Sequence, residues 1–178
     1  GAQAFTFDKP GLPCATALPL PPGIIVAGAT PRSSDTKTLV GALKDRVRRR
    51  EARVLRELAT LGEIADRAGR LICSESAQQS VGDLGGLATD AHEVLQDLGL
   101  STPLTERCLS IAADNGSLGG KISGAGGGGA FFAVFRDADA ALKAAGALRE
   151  TVSAIDRDLP IRVIRAEEEG LQLLDAAG

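Results

Sequence analysis

The most concentrated stretch of potential chemistry in the sequence is Gly124-Ala125-Gly126-Gly127-Gly128-Gly129, five glycines in six positions, set between two apolar runs. Six residues exceed the two of a tight hairpin turn. Each glycine in an ordered segment costs about 0.5–1 kcal/mol relative to alanine, so this run is an expensive way to turn a corner unless something must approach the main chain. Without Cβ atoms, successive N–H groups can converge on phosphate oxygens, or another polypeptide segment can pass at van der Waals distance. A flexible hairpin loop is the third reading. The run is not a P-loop, because no Gly-Lys-Ser/Thr follows, and it is not a dinucleotide fingerprint, because it leads into a strand and not a helix. Ser123 adds a hydroxyl at its start, and Lys121 reads either as a solvated strand residue or as an anion contact.

A second polar cluster, Ala29-Thr30-Pro31-Arg32-Ser33-Ser34-Asp35-Thr36, precedes a helical pattern, and Thr36 is a candidate N-cap. The single histidine, His92, sits beside the apolar stripe of a helix and reads as a packing residue; one histidine cannot build a His-rich metal site. The basic run Lys44, Arg46, Arg48, Arg49, Arg50 and Arg53 has no aromatic interleaving and reads as a solvated helix face or a helix junction. Cys14, Cys73 and Cys108 form no CxxC pair and are expected to be reduced, buried thiols.

Composition narrows the classes further. In 178 residues, 44% hydrophobic content supports a folded core, and 20 Lys+Arg against 23 Asp+Glu give a net charge of −3, which recommends neither nucleic acid nor an anionic membrane. Five Phe and no Trp or Tyr leave few platforms for base stacking. No apolar run approaches the ~20 residues of a membrane span, and no targeting segment is evident, so a cytoplasmic location is expected.

The elements that must position these residues follow from periodicity. Phe5-Thr6-Phe7 suggests a short strand. Gly23 to Gly28 is β-branched and nearly continuous, as is Ala130 to Phe135, and both read as strands covered on two faces. Helical stripes run through Val40, Leu43 and Val47; then Val54, Leu58, Leu61, Ala65, Ala68 and Ile72; then Leu84, Leu87, Ala91, Leu95 and Leu98, with Gly99 as a left-handed cap. Thr102 as N-cap and Pro103 in the first turn open a fourth helix with Leu104, Cys108 and Ile111 inward, and Asn115-Gly116 stops it. A strand over 120–123, a last helix from Asp137 or Asp139 with Leu142, Ala145, Leu148, Val152 and Ile155 on one side, and a strand containing Ile161, Val163 and Ile164 complete the order. With the extra helices set aside this is β, α, β, β, α, β: an α+β, ferredoxin-like split βαβ plan, an antiparallel sheet with helices on one face. Residues 1–178 read as one such unit.

Lys121-Ile122-Ser123-Gly124-Ala125-Gly126-Gly127-Gly128-Gly129 resembles the third signature motif of the GHMP small-molecule kinases, most closely that of their mevalonate kinase branch. Leu98-Gly99-Leu100-Ser101, the helix after it and Asn115-Gly116 resemble that branch in order and spacing. So do His92, although Ala91 replaces the usual asparagine, and Thr36-Lys37, although Asp35 stands where serine is usual. The similarity runs from about Phe5 to Phe135 and concerns only the C-terminal half of such kinases, without their phosphate-binding loop, catalytic aspartate and assisting lysine. It implies ATP and Mg²⁺ as cofactors, a small-molecule alcohol as acceptor, and an N-terminal half of the kinase as partner. Ser123, Gly124, Ala125, Gly126, Gly127 and Gly128 would then contact the nucleotide or the phosphate loop of that half, and Thr36 would lie on the acceptor side. No catalytic or metal-ligating residue is assigned to this chain, which alone should be inactive. A phosphomevalonate or sugar kinase and a non-enzymatic regulatory domain are the alternatives, and pairing of two copies as a homodimer is left open.

Overall fold

A computed structural model describes residues 2–6, 14–18, 23–74 and 81–165. Strands β1 (Ala2–Thr6) and β2 (Cys14–Leu18) form an antiparallel hairpin, a sheet of its own, with Ala2 opposite Leu18. The expected strand end at Phe7 and the side chain of Cys14 lie outside the described residues.

The principal sheet contains β3 (Ile24–Thr30), β4 (Gly119–Ile122), β5 (Gly129–Phe135) and β6 (Ile161–Arg165) in the order β4-β5-β3-β6, with every neighbouring pair antiparallel. Five helices accompany it: α1 (Thr36–Arg48), α2 (Ala52–Ile72), α3 (Val81–Asp97), α4 (Pro103–Asp114) and α5 (Ala138–Ser153). With α1, α2 and α3 regarded as an insertion after β3, this is the expected split βαβ arrangement.

Helices α4 and α5 cover one face of the sheet. Ile24, Val26, Phe131, Ala133, Phe135 and Ile161 meet Cys108, Ala112, Ala141, Ala144, Ala145, Leu148 and Val152 in one core. Because α4 and α5 roof that face alone among the described residues, β3 and β5 alternate in burial: Ile25, Phe132 and Val134 are half-buried and Ala130 is exposed. The expectation of strands covered on both faces is therefore corrected. A continuous apolar run hides its alternation when both faces carry small or aliphatic side chains.

The helical stripes shift for similar reasons. On α5, Ala145, Leu148 and Val152 are buried as expected and are joined by Ala141 and Ala144, small enough to let the helix approach the sheet, while Leu142, and Ile155 just beyond the helix, are 57% and 56% exposed, contrary to the expected stripe. On α2, Ile64 is buried and Ala65 exposed. On α4, Thr105 and Ala112 join Cys108 as the buried positions, with Leu104 and Ile111 packed at the edge of that core. Cys108 is buried as expected; Cys73, at the end of α2, is exposed.

A second core joins α2 and α3 through Val54, Ile64, Leu87, Ala91, Val94 and Leu98. Helix α3 also lies along the outer edge of β4, where Gly85 sits directly against the main chain of Leu118 and Gly119. An unpaired strand edge is a template for unwanted pairing, and here the helix covers it. The basic run forms the α1–α2 junction: Arg46 and Arg49 both pair with Glu51, Arg48 with Asp45 and Arg53 with Asp97, and Arg46 also donates to Leu98 O at 3.0 Å. The guanidiniums of Arg49 and then Arg46 hold the Glu51 carboxyl below the ordinary range.

Candidate functional site

The glycine loop is an ordered structure. Five of its residues have positive φ: Gly124 at 89°, Gly126 at 87°, Gly127 at 67°, Gly128 at 89° and Gly129 at 85°. A run of left-handed residues is accessible to glycine and costs other L-residues roughly 1–2 kcal/mol each. Two positions are also steric requirements: a Cβ at Gly126 would fall on the Leu100 carbonyl, and one at Gly128 on the Pro31 carbonyl.

Those contacts are held by hydrogen bonds. Gly127 N–H donates to Leu100 O at 2.8 Å, and Gly127 O accepts from Ser33 N–H at 2.7 Å and from the Ser33 hydroxyl at 3.0 Å. The loop is thereby joined to the connection between α3 and α4 and to the connection between β3 and α1. The Leu39 side chain lies over Gly127 as well. Ser123 N–H donates to Ala130 O at 2.8 Å and closes the base of the loop. Gly127 and Gly128 are buried, Ala125 and Gly126 half-buried, and Ser123 and Gly124 exposed. Among the described residues, the N–H groups of Gly124, Ala125 and Gly126 have no acceptor.

Thr36 is exposed in the first position of α1, and its loop is the one that grips the glycines through Ser33. It is not the N-cap. Asp35 takes that role with extended backbone (φ −78°, ψ 154°), and its carboxylate accepts from Thr38 N–H at 2.8 Å and from the Thr38 hydroxyl at 2.9 Å. Those two bonds, the main-chain one first, hold the Asp35 carboxyl below its ordinary range. Aspartate outcompetes the neighbouring threonine because a carboxylate beside the orphan N–H groups of a helix start is charge-matched to them.

Behind the loop runs a chain of three hydroxyls. Thr102 Oγ1 lies 2.9 Å from Thr105 Oγ1, which lies 3.3 Å from Thr30 Oγ1, and Thr30 donates to Gly129 O at 3.5 Å. Thr30 and Thr105 are 2% and 1% exposed, so the chain satisfies groups that burial would otherwise penalise. It ties the start of α4, capped by Thr102, to the end of the loop. The Ser101 hydroxyl beside it is buried without a partner among the described residues. Lys121 is not a solvated strand residue: its ammonium donates to Ile122 O at 2.8 Å and lies 5.4 Å from the centre of the Phe132 ring, and burial pulls its pKa down.

Sequence reasoning missed Ser33, Leu100 and the Thr30–Thr105 pair. The partners of Ser33 and of the threonine pair are 75 to 99 positions away, and that of Leu100 lies beyond α4 and β4, so nothing in local spacing signals such contacts. No three His, Cys, Asp or Glu side chains converge among the described residues, and no described helix is long and apolar enough to cross a membrane.

Residues 59–154 match the family model described as GHMP kinases C terminal. The chain is 32% identical over 151 residues to a mevalonate kinase of Pyrococcus horikoshii, covering 84% of this chain and 42% of that protein; it thus spans less than half the length of that relative. Among solved structures, mevalonate kinase of L. major in complex with R-mevalonate has the same fold, with a TM-score of 0.76 at 16% identity over 92% of this chain and 47% of that one. Phosphomevalonate kinase of Streptococcus pneumoniae, in complex with phosphomevalonate and AMPPNP, superposes with a TM-score of 0.63 at 19% identity over 89% of this chain and 44% of that one. With the family model matching more than half of its length, and a stitched glycine loop where the motif stands, the chain belongs to the GHMP kinases and carries their C-terminal domain.

Proposed function

We propose that residues 1–178 act as the C-terminal part of a cytoplasmic mevalonate kinase, which uses ATP and Mg²⁺ to phosphorylate the 5-hydroxyl of mevalonate for isoprenoid precursor synthesis. The partner is an N-terminal kinase half, and the reaction takes place between the two. One observation carries this reading: among the described residues, the N–H groups of Gly124, Ala125 and Gly126 are left without acceptors on a loop fixed by Ser33 and Leu100. Unpaired main-chain donors on an immobilised turn suit an anion, whether phosphate oxygens or the carbonyls of a segment that grips them.

The donor set fits ATP and offers nothing for Mg²⁺, since no carboxylate cluster is present among the described residues; the ion is assigned no ligand in this chain. ATP supplies the phosphoryl group. The chain's own residues bind and orient: Ser123 and the loop N–H groups toward the nucleotide side, Thr36 toward the acceptor alcohol. Phosphoryl transfer is catalysed largely by positioning and charge stabilisation, so a rigid loop without an acid or base of its own is a sufficient contribution from this half.

The test is to combine this chain with the N-terminal half of its enzyme and follow ADP release with mevalonate, phosphomevalonate and galactose as acceptors. Turnover with mevalonate and none with either half alone is expected. Preference for phosphomevalonate or galactose would overturn the substrate assignment, and no turnover with any acceptor would overturn the kinase reading.

A further inference from the structure

The only histidine in the sequence lies where three elements meet at the foot of the glycine loop. His92, on α3, has a side chain 8% exposed, and its Nε2 is 2.9 Å from Oε1 of Glu106 on α4. Its Nδ1 accepts from the Ile122 N–H at 3.4 Å. Ile122 is the last residue of β4 and is 1% exposed. Main-chain N–H groups alternate in direction along a strand, and here Ser123 N–H turns inward to Ala130 O, so the Ile122 N–H points out of the sheet toward α3. Among the described residues no sheet partner is available to it there, since β4 is the edge strand, and a buried donor without an acceptor is costly.

The two contacts fix the state of the ring. A carboxylate only accepts and an N–H only donates, so Nε2 must carry the proton and Nδ1 must not. From this we infer that His92 is the positioning residue of the glycine loop: its neutral Nε2–H tautomer, oriented by Glu106, holds the Ile122 N–H and thereby the point where the strand becomes the loop. The consequence for ATP rests on the function proposed above; the tautomer and the clamp do not.

Two substitutions separate the ring's two bonds. His92→Asn keeps an acceptor in place of Nδ1 and loses the reach to Glu106, whereas His92→Gln keeps that reach and loses the acceptor. Nitrogen-detected NMR of the unsubstituted 178-residue chain should show one imidazole, protonated at Nε2 and unprotonated at Nδ1, and amide exchange at Ile122 should speed up about fivefold in His92→Gln and stay near the native rate in His92→Asn. In the enzyme reconstituted with its N-terminal half, His92→Gln should raise KM for ATP about fivefold with kcat within about twofold, while His92→Asn stays close to native in both. A proton on Nδ1, or equal Ile122 exchange in the two variants, overturns the inference even if neither variant can be assayed for activity. Equal KM values in an active enzyme overturn its catalytic consequence. An inactive native enzyme counts against the mevalonate kinase reading, and the NMR result still decides the clamp.

Discussion

The carbonyl oxygen of Gly127 accepts two hydrogen bonds from one residue, the main-chain N–H of Ser33 at 2.7 Å and its hydroxyl at 3.0 Å, across 94 positions of sequence. A single serine on the way from β3 to α1 thus grips the middle of the glycine loop. Removing the hydroxyl leaves the main-chain bond intact. Ser33→Ala should therefore lower stability by only about 0.5–1.5 kcal/mol, read as a lower urea midpoint at unchanged m-value. No change in the midpoint would show that the main-chain bond alone holds the loop.

The same loop predicts a graded response to alanine. Gly124 and Gly128 share a φ of 89°, but a Cβ at Gly124 meets open space and one at Gly128 meets the Pro31 carbonyl. Gly124→Ala should cost about 1–2 kcal/mol for backbone conformation alone. Gly128→Ala adds a steric clash of about 1–3 kcal/mol to that. Denaturation of the two variants side by side measures the difference, and equal losses would mean that the loop moves away from Pro31 at little cost.

Much of this was legible in the sequence, and the division follows range. The strands of the principal sheet, the helix order, the Thr102 cap with Pro103, the Gly99 terminator and the glycine motif are local signals, carried within a few residues, and each appears where its residues stand, whereas strand β2 (Cys14–Leu18), among prolines and a glycine, was not read. Faces were less legible. Ala141 and Ala144 make the α5 contact because small side chains allow close approach, yet hydropathy weights the leucines more heavily. Within the site, the loop itself could be read, but its anchors Ser33 and Leu100 could not, since they depend on which distant connections the sheet order brings together.

Asp35 gives the start of α1 a pH dependence of known sign. Its carboxyl is held below the ordinary range by the Thr38 N–H and hydroxyl, so the charged form is favoured in the folded state. Such a group adds stability above its unfolded value of about pH 4 and loses that contribution as pH falls through the lower folded value. Asp35→Asn retains a capping oxygen but does not titrate. The gap in urea midpoint between native protein and Asp35→Asn should narrow as pH drops below about 4; a gap constant across that range would remove the carboxylate from the account.

The two described thiols should differ in reactivity. Burial pushes the Cys108 thiol up from its ordinary value, which disfavours the thiolate that reacts, whereas Cys73 is exposed. A maleimide applied to the native chain at neutral pH should modify Cys73 and leave Cys108 until denaturant is added, as read by peptide mass. Labelling of both at one rate would mean that the α4 core opens readily.

The corrected face of α5 can be tested against the sheet it covers. Phe131, on β5, is 1% exposed in the core beneath α4 and α5, while Leu142, which periodicity assigned to the same core, is 57% exposed. Phe131→Ala should cost about 3–5 kcal/mol through lost transfer energy and the cavity left behind, and a surface change such as Leu142→Ala about 0.5 kcal/mol or less. The contrast is informative because both residues are large and apolar, and one lies under the helices while the other faces away from the sheet. If Leu142→Ala proved as costly as Phe131→Ala, a surface would have to cover the outer side of α5, and the face facing the sheet would no longer be the one that stabilises this helix.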